Sequence, residues 1–358
     1  MAKSHFNNVT IKGMSITLGE NKRVIDDDPF YYNNDDAFLA RLKKTIGFGT
    51  RYVAAQDTTT CDLCEDAARR LLCETKISVN DIDAIIFVTQ TPDYFMPGNA
   101  HVIHEKLQFP KETLALDVEL GCSGFVYGLW LSYMMVSSGL NRILLLTGDT
   151  LSKSANPKDR TEYPLFCDAG SATIIEKTEK NAPSYFILKS DGTGVKHMLQ
   201  PAGAYRLPSS EETRKEIIDK DGNTRSQENI YMNGFEIFNF TLTEQPPLLK
   251  DILEYSGKMK DEIDYFLFHQ GNKYIVDTIS KSAQLPKEKV PVIFSDFGNQ
   301  NSAAIPGTIC ATLFDKINSS TQVIIQGFGI GLSWGACQLA LDDITILTPQ
   351  IYSGEKNE

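Results

Sequence analysis

Three short polar islands in this 358-residue chain carry residue types that can do chemistry together: Gly121-Cys122-Ser123-Gly124, Phe268-His269-Gln270-Gly271-Asn272 and Gly298-Asn299-Gln300-Asn301-Ser302-Ala303. Each follows an apolar run that reads as a buried strand and precedes a small-residue or helix-like run. The polar side chain therefore falls where a strand ends and a helix begins, the place where open α/β sheets put their chemistry. A Cys, a His and an Asn at such ends supply a nucleophile, a proton-handling donor and an amide donor.

Cys122 stands ahead of an apolar stretch from Phe125 to Leu131 that suits a helix packed inside the protein. The positive end of that helix and its unpaired N–H groups favour thiolate over thiol. The other cysteines read differently. Cys73, Cys310, Cys337 and Cys167 lie in runs that suit buried packing, and Cys61 with Cys64 forms a C-x-x-C with no second pair or neighbouring His, so no metal site is expected. Seven cysteines, an odd number, also argue against a disulfide framework.

Of five histidines, His5 is terminal, His197 sits in a polar region, and His101 and His104 fall on a predicted helix. His269 directly ends a strand. One histidine alone reads as a satisfied core residue, and one Asn after Gly as a turn residue. Three islands at three strand ends change that balance, because neutral imidazole and an amide can both donate to an oxygen that becomes negative during reaction. The stretch Gly327-Phe328-Gly329-Ile330-Gly331-Leu332-Ser333-Trp334-Gly335 reads as a tight turn between two strands, with backbone N–H groups of an oxyanion hole facing the site. A dinucleotide loop would need a following βαβ unit, and none is available.

The elements that position these islands occur twice. A helix-like stretch from Glu65 and a strand ending at Val88 match Leu248 onward and a strand ending at Phe268. Leu114–Val118 leads into Cys122 as Val290–Phe294 leads into Asn299, and Arg142–Gly148 matches Gln322–Gly327. The chain is therefore expected to hold two related halves, 1–180 with the nucleophile and 181–358 with the donors. Helices between and outside two mixed, mostly parallel sheets give an α/β fold layered αβαβα, with the site where the halves meet. The polar stretch at about 199–229 is expected to be an excursion or a lid, and Tyr352 to Glu358 to fray.

Composition narrows the function classes. A net charge of −11 argues against a nucleic-acid surface, which draws its affinity from clustered Lys and Arg. No apolar run is long enough to span a bilayer and the start lacks a signal segment, so a cytoplasmic protein is expected.

Together the islands resemble the thiolase superfamily, and within it the β-ketoacyl-acyl carrier protein synthase III class. The resemblance rests on Gly121-Cys122-Ser123-Gly124, His269-Gln270-Gly271-Asn272, Gly298-Asn299 with Ala304-Ile305-Pro306, and Ser333-Trp334-Gly335, over roughly residues 45 to 340. It implies that Cys122 accepts an acyl group, that His269 and Asn299 hold the second substrate's thioester oxygen, and that N–H groups of Cys122 and Gly329-Ile330-Gly331 hold the first oxyanion. Phe328 would shield the departing carboxylate. It further implies a decarboxylative Claisen condensation of an acyl thioester with a malonyl-type thioester, without a cofactor, in a homodimer whose partner loop brings Met96 to the acyl pocket.

Acyl carrier protein or coenzyme A thioesters are the implied partners, with Lys273 and Lys281 among the lysines that could meet an acidic carrier. Two departures stand out. Arg41 and Thr45 occupy the places where relatives put a Trp and an Arg for coenzyme A, and Cys167-Asp168-Ala169-Gly170-Ser171 replaces Gly-Asp-Gly-Ala-Gly. Acyl transfer from Cys122 to an alcohol or amine, and an inactive partner subunit, remain as alternative readings.

Overall fold

The computed structural model describes residues 2–317 and 320–354. Met1 and residues 355–358, the latter most of the polar C-terminal stretch, lie outside the described residues. Among the described residues eight α-helices are formed: α1 (Asp36–Thr45), α2 (Thr60–Thr75), α3 (Asn99–Lys106), α4 (Gly124–Ser137), α5 (Gly234–Ser256), α6 (Lys273–Ser282), α7 (Phe294–Phe297) and α8 (Ala304–Thr312).

The apolar runs build two sheets. In the larger one Thr345–Ile346, Val9–Leu18, Ala169–Lys177, Arg142–Asp149, Ala84–Val88 and Leu114–Val118 lie side by side, with Gln350–Ile351 also on Val9–Leu18. The second runs Ala2–Phe6, Ser184–Ser190, Ser333–Leu341, Thr321–Gly329, Tyr265–Phe268. Helices α2 and α3 cover the outer face of the first sheet, α4 and α8 fill the space between sheets, and α5 with α6 covers the second. This is the five-layered α/β arrangement that the duplicated pattern leads one to expect. Chemistry decides which helix goes where. α4 is apolar nearly all round, with Phe125, Val126, Leu129 and Tyr133 buried, as a helix sandwiched between sheets must be. By contrast α2 begins at a Thr59/Asp62 capping box and buries one stripe, Cys61, Cys64, Ala67, Ala68 and Leu71. Cys73 falls off that stripe and is exposed, so its expected packing role is corrected; Cys167, Cys310 and Cys337 are buried.

Both sheets are mixed, but parallel pairing prevails only in the larger one. In the second, only Tyr265–Phe268 and Thr321–Gly329 run parallel. The reason is local. The expected strand Val290–Phe294 does not form, because Pro291 has no N–H for a ladder and Phe294 already opens α7. The Gln270 side chain takes the place of a strand partner, donating to the Pro291 carbonyl at 3.3 Å and accepting from the Ile293 N–H at 3.2 Å. The chain ends also cross the division at residue 180: Ala2–Phe6 pairs with Ser184–Ser190, while Thr345–Ile346 and Gln350–Ile351 pair with Val9–Leu18.

The stretch at 199–229 is held by short two-stranded pairings, among them Ile217–Ile218 with Thr224–Arg225. Arg225 clamps this hairpin to the body through Asp159 and Glu162. Among the described residues no helix is long and apolar enough to cross a membrane.

Candidate active site

Cys122, His269 and Asn299 line one cavity of about 340 Å³, although they come from points far apart in the chain. Its walls are largely apolar, with Leu165, Phe166, Met198, Phe240 and Ile275 among them, and Phe328 and Gly329 complete the floor around the sulfur. A second cavity of about 880 Å³ adjoins it, sharing Ile46, Met232 and Phe235 and bounded by the hairpin residues Asp219, Asn223 and Arg225. The polar excursion thus forms one wall of the approach to the site.

Cys122 sits one residue before Ser123, the N-cap of α4, and is almost fully buried. The expected thiolate is not the resting form. Burial pushes the Cys122 thiol up to about 12, with the negative Asp149 adding to the effect, while the N–H groups of Cys122 and Ile330 pull the other way. In a dry site the loss of hydration outweighs a helix terminus. The thiol donates to Asn301 Oδ1 at 2.9 Å. Close packing sets the sulfur's position: a Cβ on Gly329 would lie 2.5 Å from the Cys122 Cβ, so only glycine fits there. The glycine-rich stretch is the expected turn between strands, Gly329 pairing with Ser333. Ser333 Oγ lies 2.6 Å from Ser123 Oγ and donates to the Ile330 carbonyl at 2.8 Å, which ties the Cys122 turn to the turn carrying the Ile330 N–H. Gly331 lies in that turn but away from the cavity wall.

His269 is buried and its ring meets Phe328 edge to face at 5.5 Å between centroids. Burial lowers it to about 3, so the imidazole is neutral at physiological pH, as a donor to a forming oxyanion should be. The Asn301 carbonyl faces the ring and pulls the other way, yet Nδ1 makes no hydrogen bond of good geometry among the described residues. Asn299 is fixed by its backbone: its N–H donates to the Leu165 carbonyl at 2.8 Å, and its carbonyl accepts from Cys167 N–H at 2.9 Å. Its side-chain Oδ1 accepts from the Asn301 N–H at 2.9 Å, leaving the amide NH₂ for the cavity.

Two further side chains beside the site carry no strong signal in the sequence. Asn301 touches Cys122 directly. Asp149 is buried behind it and accepts from Gln90 N–H at 2.8 Å and from Ser302 Oγ at 2.5 Å. Burial raises its carboxyl to about 6 despite these donors. Asp149 ends a buried strand, so the same strand-end argument that marks Cys122 and His269 would have found it. Asn301 has only its place in the third island as a signal.

Other candidates lie elsewhere. Met96 does not line this cavity and is exposed beside Tyr94 and Phe95. Lys273 is committed to Asp277 at 2.5 Å, and Lys281 is exposed near the end of α6. Lys289 donates to backbone carbonyls of Asp261 and Ile263.

Two sheets around a pair of central helices, with a cysteine at the head of one of them, make this a thiolase-type fold. Family models for 3-oxoacyl-[acyl-carrier-protein] synthase III match residues 116–192, and for its C-terminal part residues 253–341. A protein of Campylobacter jejuni named putative 3-oxoacyl-[acyl-carrier-protein] synthase 3 is 38% identical over 99% of this chain and 100% of its own. The β-ketoacyl-[acyl-carrier-protein] synthase III of Clostridium perfringens is 33% identical over 84% of this chain and 90% of its own. The crystal structure of a 3-oxoacyl-(acyl-carrier protein) synthase from Burkholderia xenovorans superimposes with a TM-score of 0.90 at 35% identity, covering 98% of this chain and 99% of the other. The chain belongs to the 3-oxoacyl-acyl carrier protein synthase III family of the thiolase superfamily, and is a condensing enzyme of the transferase class.

Proposed function

We propose that the protein joins an acyl thioester to a malonyl-type thioester through an acyl-Cys122 intermediate. The observation that carries this reading is the placing of one thiol, one neutral imidazole and one free amide NH₂ on a single apolar cavity. Cys122 Sγ attacks the acyl carbonyl, whose oxygen becomes negative against the N–H groups of Cys122 and Ile330. The carrier thiol leaves and takes the proton that Cys122 gives up. A malonyl-type thioester then loses carbon dioxide, and His269 and Asn299 donate to the enolate oxygen. The new carbanion attacks the acyl carbon, a carbon–carbon bond forms, and the sulfur of Cys122 leaves and recovers a proton. Splitting the reaction at a covalent intermediate replaces one difficult step by two easier ones, and each fixed donor is worth about 3 kcal/mol in a dry site. The neutral state of His269 supports donor rather than base duty, because a ring held at about 3 has little tendency to keep a proton taken from the thiol.

An acyl carrier protein or coenzyme A delivers the substrates through the larger neighbouring cavity, and among the described residues Lys281 makes no salt bridge and stays available for docking. The exposed Tyr94-Phe95-Met96 segment fits a homodimer in which Met96 closes the partner's acyl pocket. Free cysteines throughout the described chain suit the reducing cytoplasm.

Intact-protein mass after exposure to acyl donors tests the first step, with Cys122→Ala as control. Added malonyl carrier should then release carbon dioxide and a 3-oxoacyl product. No Cys122-dependent mass gain with any donor would overturn the acyl-enzyme, and ester or amide formation without carbon dioxide would overturn the condensation.

A further inference from the structure

One further residue, Asn301, meets each of the three expected residues, by its side chain or its backbone. Asn301 is buried, and its left-handed backbone (φ 50°) is a conformation that Asn tolerates better than other residues with a Cβ. Its side-chain Oδ1 accepts the Cys122 S–H at 2.9 Å. Its backbone N–H donates to Asn299 Oδ1 at 2.9 Å, which turns that amide's NH₂ toward the cavity. Its backbone carbonyl faces the His269 ring. We infer that Asn301 is the positioning residue of this site, whose side chain holds Cys122 as a neutral, oriented thiol while its backbone sets the two oxyanion donors.

The side chain and the backbone of Asn301 act on different partners. An acceptor on the S–H stabilises thiol over thiolate and fixes the rotamer of Cys122, so a sulfur lone pair faces the cavity where a carbonyl arrives. The other groups that act on the thiol are the Asp149 carboxylate and the N–H groups of Cys122 and Ile330, and the His269 ring lines the same cavity. Asn301 Nδ2 is buried without a partner among the described residues, so the contact to the S–H through Oδ1 is the side chain's own hydrogen bond in the site.

This inference rests on Cys122 being the nucleophile, but its test needs no turnover. Alkylation of Cys122 by iodoacetamide is followed by mass spectrometry of its own peptide, which separates it from the exposed Cys73. Asn301→Gly keeps the positive φ and both backbone contacts and removes only the side chain. Asn301→Asp keeps the shape and places a negative charge beside the sulfur. At about pH 8 the Gly variant should react about tenfold faster than the parent and the Asp variant about tenfold slower, each corresponding to a change of about one pH unit in the thiol's titration. Loosened packing can only speed alkylation, so a slower Asp variant reports the charge and acceptor beside the sulfur. Equal rates in all three proteins, or shifts of both variants in the same direction, would overturn the proposal. Failure of the condensation assay with these shifts intact would count against the proposed function instead.

Discussion

The Cys122 turn and the Asn299 loop sit at corresponding points of the repeated pattern, yet they are held in place by different means. Cys122 follows a regular strand, Leu114–Val118, and heads a regular helix, so ladder and helix geometry place it. Asn299 follows Pro291, the short α7 and Gly298 at φ 73°, and its pairing is an isolated bridge to Phe166 rather than a ladder. Individual hydrogen bonds reaching across to the first part of the chain do the work instead: Asn299 to Leu165 and Cys167, and Ser302 to Asp149. A nucleophile must be aimed at one atom, and regular structure aims it. A donor must sit opposite a partner on another element, and bonds made to that element set the separation directly.

Removing the donor while keeping the nucleophile breaks this comparison most severely. Asn299→Ala should lower the condensation rate by about 10²–10³ while leaving acylation of Cys122 nearly intact. The intact-mass assay and the carbon dioxide assay, run side by side, read the two steps. Equal loss in both would mean that the loops are not functionally separable.

A smaller effect is expected from the cross-link beneath the Asn299 loop. Ser302→Ala takes a hydroxyl donor from the fully buried Asp149 and should cost about 1–3 kcal/mol of stability, read from the urea midpoint. A similar deletion beside the nucleophile, Ser123→Ala, leaves Ser333 its bond to Ile330 and should cost less. The reverse order would show that the nucleophile turn is the more dependent on single bonds.

The mildest test is a pH dependence. Burial holds His269 at about 3 against 6.5 for an ordinary ring, so the unfolded chain binds a proton that the folded chain refuses between those values. Stability from this group is present above 6.5 and is lost as pH falls toward 3. Asp149 works oppositely: raised from 3.8 to about 6, it lets the folded state take up its proton first and gain stability as pH falls through that interval. His269→Gln should therefore shrink the drop in melting temperature between about pH 7.5 and pH 5. An unchanged drop would remove the buried neutral imidazole from the account.

What the sequence made legible follows the same division. Positions set by regular elements could be read from pattern: the strand into Cys122, the apolar helix after it, the strand into His269 and the glycine turn. Asn301 could not, because its role comes from φ 50° in an irregular loop and from contacts to residues far away in the chain. The Val290–Phe294 strand was misread because apolar content outweighed Pro291, and nothing in a linear pattern shows that a glutamine side chain can take a strand's place. The expected thiolate failed for a related reason: the helix terminus is visible in sequence, whereas the burial that opposes it is a property of the assembled site.

The exchange of chain ends between the two sheets has a consequence for how the molecule comes into being. Ala2 pairs with Leu188, so the first strand made waits for the middle of the chain; the second, Val9–Leu18, pairs on one side with Ala169–Lys177, and its other edge waits for Thr345–Ile346 near the chain's end. Neither sheet can be completed on the ribosome from the residues of one half. Cutting the chain near residue 180 would leave each piece without an edge strand, and a bared edge is a template for pairing with other chains. The exchange makes the molecule a single folding unit, and the cavity that needs residues from both halves forms only when that unit is whole.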